Sequence, residues 1–433
     1  MKITPSRSVI AFIMLVMLWA SSNLNWGKDY WRGIVESDAK GYYAYLPATF
    51  IYNDLNFGFF DSIEKVKYFD EHYYYDYRTQ QNTKTINKYF CGTAVMQIPF
   101  FFASHIATKF SPQDADGFSK YYCIGINLAG IFYLFIGILF LKKLLRLYSV
   151  SEWTQFWVLP AIVFGTNLFY YSVVEPGMSH VYSFALIACF LVNAKKMCGY
   201  YSSRRVIYIA ILLALIFLIR PANILIVFSI PFLAGTKESF FVLLTQLKKD
   251  LKHVFISLFL FVIISSLQFI IYKISCGSFF VYSYGAEGFN FATPHMIDIL
   301  FSYRKGLFLY TPIYLVCLSG IYFMFKRSKW EGTFFTLFFL LLTYVLSSWW
   351  SWWYGGSYSS RVYVEFLPLF AVCLALTLQQ LKGVSKKIVT GFVVLLILFC
   401  QVQTYQYRYN QITWDEMTKE KYWNVFMRVD KLT

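Results

Sequence analysis

The stretch YFCGTAVMQIPFFFASHIAT, residues 89–108, decides the fold, because whether it crosses a membrane fixes the side of every later segment. It reaches the roughly 20 residues that span a hydrocarbon core. Its content argues against a crossing: Gln97, Pro99 and His105 lie inside it, and the polar run 111–117 follows directly. A helix lying in the interface with one apolar face satisfies its backbone without crossing. The expectation is a surface helix.

Outward from this stretch, the chain reads as a polytopic membrane protein. Of 433 residues, 58% are hydrophobic and only 14% charged, whereas soluble domains carry about 25% charge. The first apolar block, 9–20, follows Lys2 and Arg7 like a signal-peptide core. It lacks a clear small-x-small cleavage site, since Ala20-Ser21-Ser22 runs into Asn23-Leu24-Asn25-Trp26, and is expected to stay as a first span. Further apolar segments fall at 121–141, 154–172, 178–194, 206–219, 222–235, 254–275, 307–325, 332–349, 362–380 and 388–401. The two segments around Arg220-Pro221 are short enough to suggest a broken or tilted pair.

Charge supports the surface reading of 89–108. If that segment does not cross, one side collects 19 basic residues against four acids, Glu152, Glu238, Asp250 and Glu331. The other side holds 20 basic and 19 acidic residues, so nets of +15 and +1 make up the formal +16. Basic loops stay cytoplasmic. The expected topology is therefore an all-α polytopic membrane protein of about eleven transmembrane helices, with juxtamembrane helices on the outer face in the loop 23–119. The N-terminus is cytoplasmic, residues 1–401 form one transmembrane domain, and a short tail, 402–433, lies outside. The same asymmetry explains the basic pI through membrane lipids, without nucleic acid.

The eight cysteines form no CxxC pair and read as small buried hydrophobes. The five histidines show no metal-binding spacing, and no internal repeat is visible.

Four polar stretches share the outer face. The first loop opens with Glu36-Ser37-Asp38-Ala39-Lys40-Gly41-Tyr42 and continues into an aromatic, mixed-charge run over 68–88. Asp38 reads as a candidate base or as a helix N-cap. The second stretch is Glu175-Pro176-Gly177-Met178-Ser179-His180, where a carboxylate at the membrane boundary suits a cavity better than lipid. His180 reads as a satisfied boundary histidine or a substrate contact. The third, 276–305, contains Tyr284 and ends in Arg304-Lys305, either interface anchors or an anion site. The fourth is Trp349-Trp350-Ser351-Trp352-Trp353-Tyr354-Gly355-Gly356-Ser357-Tyr358-Ser359-Ser360-Arg361. Arg361 at a helix start suits a phosphate, or pairs with Glu365 one turn on.

Carboxylates, cations and aromatic rings on one face form the set required to transfer a sugar from a lipid phosphate. A base takes the acceptor proton, cations hold the departing phosphate, and rings and apolar walls hold the sugar and isoprenoid tail. Here the chain resembles the GT-C superfamily of polytopic glycosyltransferases that use polyprenyl-phosphate sugars, above all its bacterial protein-mannosyltransferase-like and aminoarabinose-transferase-like branches. The resemblance is architectural over roughly 1–400, with local matches: Asp38 in Glu36-Ser37-Asp38 at the first acidic motif, and Glu175 in Val174-Glu175-Pro176-Gly177 at the second. The family's first motif often has two adjacent acids, whereas Ser37 separates them here.

The resemblance implies a glycosyltransferase of a bacterial inner membrane that inverts the anomeric carbon. Asp38 would be the base, with Glu36 as helper, and Glu175 would position acceptor or sugar. Arg361 with Arg304 or Lys305, and also Lys40, would hold phosphate, with His180, Tyr42 and Tyr284 around the substrate. A divalent cation is left open, and the acceptor is a glycan, lipid or protein. The rival readings are a transporter or flippase for a lipid-linked sugar and an oligosaccharide polymerase or ligase.

Overall fold

Apolar runs need their backbone groups satisfied internally, and here they do so as helices. In the computed structural model, which describes residues 4–68, 75–81 and 83–430, the first run forms α1 (Pro5–Asn25), with proline in its first turn. The loop after it contains α2 (Asp38–Phe50), an antiparallel hairpin of β1 (Arg78–Gln81) and β2 (Lys84–Asn87), and α3 (Gly92–Lys109). The hairpin pairs Arg78 with Asn87 and Gln81 with Lys84. It corrects the all-helical expectation for this loop: Thr79, Thr85 and Ile86 supply β-branched side chains in a short polar run too brief for a stable helix. Part of the aromatic run, residues 69–74 and 82, lies outside the described residues.

The bundle follows: α4 (Lys120–Leu147), α5 (Glu152–Phe164), α6 (Leu168–Val173), α7 (His180–Gly199) and α8 (Ser203–Ile219). A 3₁₀ stretch, Pro221–Ser229, then leads into α9 (Ile230–Ala234). Next come α10 (Lys237–Lys249), α11 (Leu251–Cys276), α12 (Met296–Phe301), α13 (Leu307–Tyr310), α14 (Ile313–Leu318), α15 (Gly320–Arg327) and α16 (Lys329–Ser347). A second 3₁₀ stretch, Arg361–Phe366, runs into α17 (Leu367–Gln380), followed by α18 (Gly383–Arg408) and α19 (Lys419–Val425).

Among the described residues, seven helical segments are long and apolar enough to cross a membrane: α1, α4, α7, α11, α16, Arg361–Gln380 and α18. Helix α3 is not among them. The apolar run 307–325 is not one helix but three short ones, because Pro312 and Gly320 interrupt it. At Gly320 the chain presses on α17 so closely that a Cβ would lie 2.3 Å from the Cys373 carbonyl oxygen. The segment 154–172 likewise breaks between Phe164 and Leu168. The last long helix continues through 402–408, so the tail starts later than expected. The buried core centres on α7 and α17.

Contacts between helix ends define two ends of the bundle. At the basic end, Ser6 donates to Glu152, which also pairs with Arg146 at 2.6 Å, so the start of α1 meets the end of α4 and the start of α5. At the hairpin end, Trp26 Nε1 donates to Asn127 Oδ1 at 2.8 Å and Asn25 donates to the Val173 carbonyl. The loop 26–119 therefore leaves and returns at the same end, and α3 makes no net passage through the bundle.

Candidate active site

Asp38 opens α2 after a strained turn: Ser37 has φ 51° and ψ −132°, outside the comfortable range of a non-glycine residue, and does not cap the helix with its side chain. Asp38 is the first helical residue, where a carboxylate also complements the helix dipole, and its two oxygens are both engaged elsewhere. Oδ2 accepts from Arg361 Nη2 at 2.6 Å and Oδ1 from the Tyr89 hydroxyl at 2.6 Å. Tyr89 in turn meets the Tyr75 hydroxyl at 2.5 Å. Gly41, one turn along α2, makes this approach feasible, because a Cβ there would lie 2.2 Å from the Tyr89 ring. Burial pushes the Asp38 carboxyl up, but the Arg361 guanidinium and the Tyr89 hydrogen bond outweigh it and hold it below the ordinary value.

Arg361 reaches Asp38 from the other end of the chain. It starts the 3₁₀ stretch after the Gly355-Gly356 loop, and its buried Nε has no hydrogen-bond partner among the described residues. The expected alternative partner, Glu365, is not paired with it. A 3₁₀ helix has three residues per turn, so positions 361 and 365 do not align as they would on an α-helix. Glu365 Oε1 instead accepts from Arg220 Nη1 at 3.1 Å and lies 3.0 Å from His180 Nδ1. His180 is thus a buried partner of Glu365, with its ring 4.6 Å from Tyr171.

Glu175 sits in the turn between α6 and α7 and accepts from the Tyr170 hydroxyl at 2.9 Å. Burial raises its carboxyl to about 7, with the nearby Arg361 pulling the other way and Asp38 adding to the rise. Lys305 is also buried, and burial lowers its amine to about 7. It donates to the Thr413 carbonyl at 3.2 Å, lies 4.8 Å above the Tyr407 ring, and is within electrostatic reach of Arg361 and Glu175.

Tyr42, one helical turn after Asp38, stacks at a tilt on Tyr89 with centroids 4.7 Å apart. Tyr284 meets Tyr89 edge-on at 6.3 Å and Trp349 at 5.5 Å, under Lys88 Nζ at 5.1 Å. The structure therefore brings Asp38, Arg361, Glu175, Lys305, Tyr42 and Tyr284 to one region, with His180 behind it.

Three expected site residues go elsewhere. Lys40 stands two residues from Asp38, hence on the opposite face of α2; it is buried and faces Glu64 and Glu36, with burial lowering its amine to about 8. Glu36 lies with Lys40, and its Oε2 comes within 3.5 Å of where a Cβ on Gly33 would stand. Arg304 makes a bidentate pair with Asp415 at 2.7 and 3.0 Å and stacks 3.5 Å above Trp353, so it anchors the C-terminal tail.

Sequence reasoning missed Tyr89, Tyr75 and Lys88 as partners, and considered Glu365 only as a partner for Arg361, not for Arg220 and His180. The break at Arg220-Pro221 was a usable signal, since an arginine between two apolar runs needs a partner. Among the described residues, no group of three or more histidine, cysteine, aspartate or glutamate side chains is placed to hold a metal ion. Compared with known proteins, the chain matches no family model and no curated protein.

Proposed function

We propose that this chain is an integral membrane glycosyltransferase that moves a sugar from a polyprenyl-phosphate donor to a glycan, lipid or protein acceptor on the outer face of a bacterial inner membrane. The observation that carries the reading is the Asp38–Arg361 contact at 2.6 Å, which sets a carboxylate and a guanidinium side by side with Glu175 within electrostatic reach. Donor phosphate would compete with Asp38 for Arg361. As the guanidinium turns to the phosphate, the carboxylate loses the partner that holds its basicity down. The acceptor oxygen then bonds to the anomeric carbon, its proton passes to Asp38, and the bond to phosphate breaks with both electrons leaving on the phosphate oxygen. Arg361 stabilises that charge, and attack opposite the leaving group inverts the anomeric centre. Lys305 adds positive potential, and Tyr42, Tyr89 and Tyr284 form the aromatic wall.

The topology that goes with this reading has eleven passes: α1, α4, α5–α6, α7, α8, residues 221–234, α11, α13–α15, α16, residues 361–380 and α18. End contacts support it. Lys195 near α7's end donates to the Leu233 carbonyl, and Thr154 at α5's start donates to Gln379, both at the basic end. Arg408 at α18's end donates to the Leu24 carbonyl at the hairpin end. The positive-inside rule makes the basic end cytoplasmic. A cysteine introduced at Gln113 in a cysteine-free background is then labelled from outside, and one at Lys249 only after permeabilisation.

One observation favours a transporter instead: Arg220, Glu365 and His180 form a buried ionisable cluster within apolar segments. The deciding experiment incubates purified protein with labelled polyprenyl-phosphate sugars and candidate acceptors. A glycosyltransferase yields covalent product that falls about 10²–10⁴-fold in Asp38→Asn. Unchanged transfer in the mutant removes Asp38 as base. Movement of labelled lipid across sealed vesicles with no product establishes the transporter.

A further inference from the structure

The C-terminal tail is not a loose end. Beyond α18 it is clamped by the Arg304–Asp415 pair, by Lys305 on the Thr413 carbonyl, by Trp423 Nε1 donating to the Tyr303 hydroxyl at 3.1 Å, and by Gln403 donating to the Tyr422 hydroxyl at 2.7 Å. Against this clamp the tail leaves a cleft lined by Asn410, Thr413, Trp414, Asp415, Glu416 and Lys421. Asn410 and Glu416 both hold positive φ, 57° and 53°, so its rim is built from two turns that non-glycine residues rarely adopt.

Trp414 is the distinctive wall. Its side chain is 64% exposed. One face of the ring rests over Gly356, so closely that a Cβ there would come 3.1 Å from it. An exposed indole has two common uses: anchoring in a membrane interface, or stacking on a ligand. The neighbours favour the second. Asn410, Asp415, Glu416 and Lys421 line the cleft with amide, carboxylate and ammonium groups beside the indole, so the ring belongs to a concave polar cleft and not to an open apolar surface. A sugar ring satisfies both features, since its C–H face covers an indole while its hydroxyls donate to carboxylates and accept from amide and ammonium.

The cleft also adjoins the candidate active site. Gly356, beneath Trp414, belongs to the loop that ends at Arg361, and Lys305 bonds to the tail on one side while its charge acts on Glu175 and Arg361 on the other. We propose that this cleft is a carbohydrate subsite that holds a hydrophilic glycan acceptor, with Trp414 as its stacking platform. The assignment of the bound sugar as acceptor rests on the glycosyltransferase reading; the carbohydrate site itself does not.

Saturation-transfer difference NMR tests it directly, with the purified full-length protein in nanodiscs and methyl α- and β-hexosides as probes. The expected result is transfer to ring protons in wild type and in Asp38→Asn, falling at least tenfold in Trp414→Ala and several-fold in Lys421→Ala, with thermal unfolding unchanged in both. Absence of transfer in wild type at tens of millimolar glycoside overturns the proposal, and so does equal transfer in Trp414→Ala and Lys421→Ala. Loss of glycoside binding with full enzymatic sensitivity to Asp38→Asn would sink the subsite alone. Retained Trp414-dependent binding with Asp38→Asn indifferent would sink the transferase reading alone.

Discussion

The two ends of the bundle use charge differently. At the basic end, ion pairs are local: Arg146 with Glu152, His253 with Asp250 and Arg327 with Glu331, separated by six, three and four residues, and the Arg146 and Arg327 side chains are 48% and 42% exposed although Glu331 itself is buried. The hairpin end has local pairs too, such as His295 with Asp298, but adds long-range ones: Asp38 pairs with Arg361 across 323 residues, Arg220 with Glu365 across 145, and Arg304 with Asp415 across 111. The side chains of the long-range pairs are mostly buried, and Glu365 completely. Exposed local charges cost little; buried distant pairs are costly to assemble and mark where segments must converge.

Breaking the contrast is most informative at its extreme. Arg361→Ala removes the cation facing Asp38 and is expected to lower sugar transfer by about 10²–10³-fold, read in the labelled-donor assay. Equal turnover would mean that the pair is structural. Glu365→Gln comes next: it leaves Arg220 without a buried counter-charge and should destabilise by about 3–5 kcal/mol, measured by denaturant titration in mixed micelles. A loss below about 1 kcal/mol would place that pair with the exposed ones.

Protonation gives a finer test. The Glu175 carboxyl, raised by burial to about 7, is half protonated near neutrality. If its anion positions the acceptor, transfer rises with pH through about 7, and Glu175→Gln flattens that limb. Raised above its unfolded value, the same group favours the folded state most below about pH 4.5, and this advantage fades as pH climbs through about 7; Glu175→Gln should remove that slope from a pH series of unfolding titrations. The smallest effect belongs to the basic end, where Arg146→Ala should change stability by less than about 1 kcal/mol and leave transfer intact.

Much of the architecture was legible because its signals are local sums. Hydropathy marked the apolar runs, and charge asymmetry identified 89–108 as a segment that does not pass through the bundle. The hairpin at 78–87 escaped notice because a brief polar run has no strong period. The triple break of 307–325 needed the contact between Gly320 and Cys373 to explain it. Within the site, Asp38, Glu175 and Arg361 stood out as polar residues at boundaries. Their partners did not: Tyr89 opens an apolar stretch, and Lys40 was drawn in by nearness in sequence although helical geometry turns it away from Asp38.

The sequence by itself determined that this is a chain of long apolar helices fit to cross a membrane, which end carries the excess of basic loops, and which boundary residues bear carboxylates and cations. Tertiary structure alone decided that Asp38 meets Arg361 rather than a helix cap, that Glu365 serves Arg220 and His180, and that Arg304 anchors the tail. Composition and periodicity act over one or two helical turns, whereas these contacts depend on where segments hundreds of residues apart pack, and no local pattern encodes that meeting.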